Sequence, residues 1–289
     1  FLINLTSQQT FIRNMRNNFF TFLTVITITF FSCQTDIQQN NNNTPTISPM
    51  EHLPQNEAGE IVRKTIEFVG GWEAWENKKN FSFYKNITHL DVDGKVEKSQ
   101  RQFHQYQIHP IIKARMSWED KGNQYVIINN GEEARKYENG KEMTDDNSKK
   151  QAWNSSYGSN YVISMPFKLT DPGVILTYEG IDSTTLNKRV HSLKVEYEKG
   201  AGSSGGMHTW WYYFDEKTYD LAANFLDYGT GHSLTTYETF TKVDGIRFHE
   251  KRFSHIADAD KNIVQKRTIY ENESMKFDED FDDSLFDLK

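Results

Sequence analysis

The chain has 289 residues, with 33 basic against 40 acidic side chains for a net charge of −7, and 14% aromatic residues within a hydrophobic total of 36%. That is enough apolar material for one sizeable domain or two small ones, and the aromatic share favours a sheet over a helix bundle. The acidic balance repels nucleic acid and anionic lipid rather than courting them, and a single cysteine excludes a disulfide framework or a thiolate metal site.

Residues 1–14 read as translated leader or as a start codon placed too early. From Met15 a short basic head (Arg16) leads into an apolar run from Phe19 to Phe31, then Ser32 and Cys33. The run falls short of the ~20 residues of a membrane span and has the parts of a secretory signal over 15–32. A small residue followed by cysteine resembles the lipobox of bacterial lipoproteins, although Phe30 stands where leucine is usual. The resemblance implies cleavage before Cys33 and acylation of that residue as the lipid attachment site. Removing Arg13 and Arg16 from the 33 basic residues leaves 31 against 40 acids, a net of −9 for the mature chain. Three acyl chains, at ~0.8 kcal/mol per buried CH₂, hold such a protein to a membrane essentially permanently. Asp36, close behind the cysteine, resembles the export signal of some Bacteroidetes outer-membrane lipoproteins. The expected location is therefore the cell envelope, with the protein anchored to the outer membrane at its periplasmic or surface leaflet.

The stretch 33–56 is polar, asparagine-rich and punctuated by Pro45, Pro49 and Pro54, so it reads as a disordered tether. Asn56 suits a helix cap ahead of Glu57 and Glu60. Ile61, Val62, Ile66, Phe68 and Val69 fall on one broad face, and Gly70-Gly71 suits a left-handed stop. Trp72 and Trp75 follow in a second short turn, as a plug.

From Asn80 the hydrophobic period changes to two, and Asp91-Val92-Asp93-Gly94 makes a hairpin turn. Strands are predicted over roughly 96–109, 111–119, 124–129 and 133–138, with connectors so short that the strands must be antiparallel neighbours. The run 147–165 interrupts them as a helix, with Trp153, Tyr157, Tyr161 and Met165 recurring every four residues until Pro166. Further strands follow at about 174–180, 188–199, 208–215, 219–228, 233–243, 246–257 and 263–276. Trp210 to Phe214 has no polar side, so that strand is buried on both faces or lines a cavity. Residues 57–289 thus read as a single mainly β domain, a wide antiparallel curved sheet or incompletely closed barrel. An N-terminal helix and an inserted lid helix complete it.

The layout and several phrases then become familiar: a helix ending in Gly70-Gly71-Trp72, a long meander, an inserted helix before Pro166-Phe167-Lys168-Leu169-Thr170-Asp171-Pro172-Gly173-Val174, Tyr178-Glu179-Gly180 and a second meander. Together they resemble the outer-membrane lipoprotein-sorting (LolA/LolB-like) superfamily, and most of all its Bacteroidetes lipoprotein relatives. The resemblance implies a curved, open β-barrel covered by helices, whose hollow takes acyl chains.

Catalytic and metal chemistry finds little purchase. His104 and His109 point to opposite faces of a strand, and His249 and His255 lie about 20 Å apart at ~3.3 Å per residue, so neither pair holds a metal by itself. Asp258-Ala-Asp260-Lys-Asn262 opens like a calcium loop, but Ile263 stands where glycine is needed, so a hairpin turn is expected. No Gly-x-Ser-x-Gly elbow is present, and the glycines of 201–206 lack a Walker lysine. No cofactor, metal or catalytic residue is therefore predicted. Trp153, Tyr157, Tyr161, Met165, Trp210, Tyr212 and Phe214 either line an apolar pocket beneath the lid helix or pack as ordinary core. The pocket is the reading adopted, because a broad curved sheet encloses more volume than side chains readily fill. The expected protein is a lipid-anchored, non-catalytic envelope binder of an acyl chain or lipoprotein. An interaction module of a surface complex, or an envelope hydrolase, is the alternative.

Overall fold

The computed structural model describes residues 48–202 and 206–289. The signal run and Cys33 lie outside them. Thirteen antiparallel strands form one sheet, in two opposed meanders. Strands β1 (Asn80–Leu90), β2 (Val96–Gln107), β3 (Lys113–Asp120), β4 (Asn123–Asn129), β5 (Ala134–Glu138) and β6 (Lys141–Glu142) step outward one way. On the other side lie β7 (Val174–Asp182), β8 (Val190–Tyr197), β9 (Thr209–Asp215), β10 (Leu221–Asp227), β11 (His232–Val243), β12 (Ile246–Ala257) and β13 (Ile263–Phe277), which step back to the centre. The halves meet where β1 pairs with β13, and β6 and β7 remain as open edges. The architecture is the mainly β, curved, unclosed sheet expected from the alternation, since open sheets beyond ~10 strands curl.

This topology explains the inserted helix. The two edges are consecutive in sequence, so the chain between them has to cross the open side of the sheet. It does so as α3 (Asp146–Ile163), then a 3₁₀ turn (Phe167–Thr170). Asp145 caps α3 by accepting from the Ser148 amide at 2.9 Å. α1 (Glu57–Phe68), capped by Asn56 at 3.1 Å, and α2 (Trp72–Glu76) share that side of the sheet.

The main core fills the space between this helical layer and the sheet. Ile61, Val62 and Ile66 of α1 enter it with Phe81, Tyr106, Leu193, Tyr212 and Phe248. Trp75 is its hub, stacked on Phe167 at 4.6 Å and 3° and surrounded by Phe81, Phe248 and Phe277. The tryptophan plug is thus real, and Trp75 rather than Trp72 forms its centre. Strand β9 is buried on both faces: Trp210, Tyr212 and Phe214 face the main core, while Tyr213 packs with Val190, Phe225 and Leu234 on the far side.

One sequence reading changes and another holds. Within the stretch read as tether, Pro49–His52 forms a 3₁₀ turn and Leu53 is 4% exposed in the main core, because α1 leaves an apolar surface that this segment covers. Asp258–Asn262 is a turn in which the Asp258 carboxylate accepts from the Asn262 amide at 2.9 Å, as expected.

Candidate functional site

The face of the sheet under α3 changes character along its strands. On β1 the inward positions are Phe81 and Phe83, then Lys85, Ile87 and His89. On β2 they are Tyr106 and His104, then Gln102 and Gln100. The pairing register carries this switch across the sheet: Phe83 lies opposite His104, which faces Met116, which faces Ile127 and then Lys136. One row further, Lys85 faces Gln102, then Trp118, then Tyr125. On the other side Ile87 faces Tyr270, which faces Arg252.

Between this polar half and α3 lies a cavity of about 590 Å³, within the ~300–1,000 Å³ range of small-ligand sites. Ala152 seats the helix on Met116 and Ile127, and Ser156 accepts from Asn129 Nδ2 at 3.0 Å. The next helical face, with Gln151, Ser155, Gly158 and Ser159, turns to the cavity. Small side chains on α3 leave the space unfilled.

The cavity is cationic in an acidic protein. Lys85, Lys98, Lys136 and Arg252 line it against one carboxylate, Asp120, a formal charge of +3 when all five are ionised. Asp120 is tied to Lys98 at 2.7 Å. Lys85 and Arg252 are each 7% exposed. Lys85 Nζ donates to Ser159 Oγ at 3.0 Å, and Arg252 donates to His249 Nε2 at 3.1 Å. Among the described residues neither forms an ion pair with a carboxylate. Burial, followed by the nearby Arg252 charge, drives the Lys85 ammonium well below its ordinary pKa. Burial also lowers Arg252.

A directed hydrogen-bond chain runs behind the cavity wall. Gln102 Nε2 donates to Gln100 at 2.7 Å, so its amide oxygen faces His104 Nε2 at 2.9 Å. That fixes the proton on Nε2 and leaves Nδ1 to accept from the Tyr106 hydroxyl at 3.1 Å. Burial first, then Lys85 and Arg252, holds His104 well below its ordinary pKa. His249 is held down the same way, with Arg252 ahead of Lys85, so both rings are neutral.

The seven aromatic and methionine positions chosen from sequence lie elsewhere. Tyr161, Met165, Trp210, Tyr212 and Phe214 interlock in the main core, where the Tyr197 and Tyr212 hydroxyls donate to Tyr161 Oη at 2.7 and 3.1 Å. Trp153 is 37% exposed and stacks on Tyr157 at 6.2 Å. None of the seven lines the 590 Å³ cavity. The residues that do line it are hidden in the sequence because Lys, Gln and Arg at alternate strand positions look like a solvent face. One signal was available: Lys85 continues the period-two phase of Phe81 and Phe83, which places it inside. Among the described residues no group of three metal-ligating side chains occurs, and no helix is long and apolar enough to cross a membrane.

The sequence profile of a family of unknown function, DUF6503, matches residues 54–279. No curated protein matches the chain. Three solved structures share its fold. A LolA superfamily protein from Nitrosomonas europaea superposes with a TM-score of 0.54 at 10% identity, covering 79% of this chain and 96% of its own. A DUF1329 family protein from Desulfovibrio piger gives 0.51 at 8%, covering 80% and 97%. A Vibrio parahaemolyticus protein described as an outer membrane lipoprotein-sorting protein domain gives 0.50 at 8%, covering 79% and 95%. The resemblance read from the Gly-Gly-Trp helix, the two meanders and the inserted helix therefore holds for the fold.

Proposed function

We propose that this chain, which belongs to the family of unknown function DUF6503, is a lipid-anchored envelope protein that binds an acyl-chain amphiphile, free or carried by a lipoprotein, without transforming it. The observation that carries this reading is the 590 Å³ space left between α3 and the sheet, where the core ends and a mixed lining begins. Ile87, Trp118 and Tyr125 offer apolar surface to a chain, worth ~25 cal/mol per Å² buried, and the polar groups beside them suit a head group. The LolA-type fold supports the reading, as does the lipobox-like Ser32-Cys33, which accounts for the anchor and the envelope address. The test is mass spectrometry of lipids extracted from protein purified from its own envelope, with the mature N-terminus sequenced in the same sample. One retained amphiphile species and an acylated Cys33 are expected. A protein that retains nothing, and takes up no amphiphile when offered one, overturns the binding reading.

A hydrolase is the second reading, favoured by the Ser159–Lys85 contact of 3.0 Å, since a lysine of depressed pKa can activate a serine. Cleavage of short p-nitrophenyl esters that disappears in Ser159→Ala would replace the non-catalytic reading with this one.

A further inference from the structure

Burying a charge without a partner costs so much that proteins pair it, neutralise it or reserve it for a ligand. Two cations in one cavity wall, each more than nine-tenths buried, break the pairing rule together. Lys85 comes from β1 and Arg252 from β12, with β13 between them. Both lean on the Tyr270 ring, with Nζ 5.2 Å and Cζ 4.1 Å from its centroid. The register neighbour of Lys85 on β13 is Asn272, an amide. Arg252 spends one donor on His249 and keeps the rest of its planar fork.

We propose that Lys85 and Arg252 form an oxyanion subsite in this cavity, selecting a phosphate or carboxylate over a neutral or cationic group. The inference rests on reading the cavity as an amphiphile site and assigns the charge of the head group. The bidentate guanidinium supplies geometric fit and the ammonium a point charge, a common division of labour at phosphates. The neutral His104 and His249 add no repulsive acid, and Asp120 is engaged by Lys98. In the empty cavity burial and Arg252 disfavour the Lys85 ammonium. A bound anion reverses that balance, so binding takes up a proton.

Calorimetric titration of the purified protein with dodecyl phosphate, dodecanol and inorganic phosphate, each below any micelle concentration, tests this. Dodecyl phosphate is expected to bind at least about tenfold more tightly than dodecanol, as charge-assisted hydrogen bonds imply. Lys85→Met and Arg252→Met are each expected to remove most of that preference. Titration in two buffers of different ionisation enthalpy is expected to show proton uptake that Lys85→Met abolishes. Inorganic phosphate binding as tightly as dodecyl phosphate would identify a free oxyanion as the occupant, and much weaker binding would identify a lipid head group. Both support the subsite. Equal affinity for dodecanol and dodecyl phosphate in the wild-type protein overturns the subsite and leaves the amphiphile reading standing, and this comparison needs no variant to fold. Binding of inorganic phosphate with no uptake of either amphiphile keeps the subsite and removes that reading, while no binding of any probe removes both.

Discussion

Lys85 and Arg252, 167 positions apart in the chain, share one face-on aromatic partner, Tyr270, at 5.2 and 4.1 Å. Contact with the ring offsets part of the cost of burying two cations, on the order of 2 kcal/mol for a desolvated pair, but burial and the Arg252 charge still withhold from Lys85 the proton that the unfolded chain would hold. The unliganded protein therefore carries a stability debt at this point. Lys85→Met keeps the stem, removes the amine that folding strips of its proton and is expected to stabilise the empty protein by ~1–2 kcal/mol, the scale on which apolar replacement of buried ionic groups operates. Urea unfolding without ligand measures it, and a loss of stability would mean that the ammonium has a partner in the empty state.

The buried histidines set an acid limit. His104 and His249 are held well below their ordinary pKa of 6.5, chiefly by burial, so the folded protein refuses protons that the unfolded chain accepts. Stability is then fully present above about pH 7 and is lost as pH falls below 6.5, at up to ~1.4 kcal/mol per pH unit for each group. His109, His208 and His255 are lowered in the same direction by burial and add to the slope. Asp182, Asp215 and Asp278 are depressed below 3.8, so their contribution falls away at lower pH still and the window from 6.5 to 4.5 belongs to the histidines. Thermal melts across that window should show the decline, and His249→Gln should reduce its slope.

Tyr161 joins the lid helix to the sheet by accepting from two buried phenols. Tyr161→Phe leaves both the Tyr197 and Tyr212 hydroxyls without an acceptor and is expected to cost ~2–6 kcal/mol, since each stranded donor costs about 1–3. Tyr197→Phe strands no donor of its own and should cost less. The double variant should be less damaging than the sum, because the three hydroxyls act as one group. Additive losses in denaturant titrations would show that the network does not hold the helix end.

Gly70 and Gly71 both adopt positive φ at the end of α1, yet they differ in what surrounds them. A Cβ on Gly70 would lie 2.6 Å from the Gly245 carbonyl oxygen, whereas one on Gly71 would meet nothing within 4 Å. The tight approach lets Arg247 N donate to Val69 O at 2.7 Å and pins the helix to the β11–β12 hairpin. Gly70→Ala is therefore expected to destabilise by about 2 kcal/mol or more through strain and overpacking, and Gly71→Ala by ~1 kcal/mol through backbone strain alone. Equal costs would remove the packing argument.

Much of this arrangement could be read from local pattern. Period-two alternation marks the strands, the four-residue spacing of Trp153, Tyr157 and Tyr161 marks α3, and the run Trp210 to Phe214 marks a strand that is either buried on both faces or lines a cavity, of which the fold takes the first. The strand order could not be read so directly, because β1 pairs with β13 across nearly two hundred residues and nothing in either strand names the other. The cavity was hidden for the same reason. Its positive charge comes from β1, β2, β5 and β12, each contributing one to three polar side chains that look solvated when their strand is read by itself. Aromatic side chains drew attention as a pocket lining, but they are also the best core fillers, and packing against Trp75 and Tyr161 claimed them first.

Gly158 separates the role of α3 as a structural strap from its role as the wall of a binding site. It sits inside a helix, lines the cavity, and has open space where a Cβ would be. Glycine within a helix costs ~1 kcal/mol against alanine, so Gly158→Ala is expected to stabilise by about that much. A larger residue should extend into the cavity without displacing any neighbour. Gly158→Leu is thus expected to fold with a melting temperature at or above that of the parent chain. Its affinity for dodecyl phosphate should drop by an order of magnitude or more, as ligand volume is lost to the leucine. Circular dichroism and calorimetry on the same sample read both outcomes. A Gly158→Leu protein that folds well and binds the amphiphile as tightly as the parent would place the ligand somewhere other than under α3.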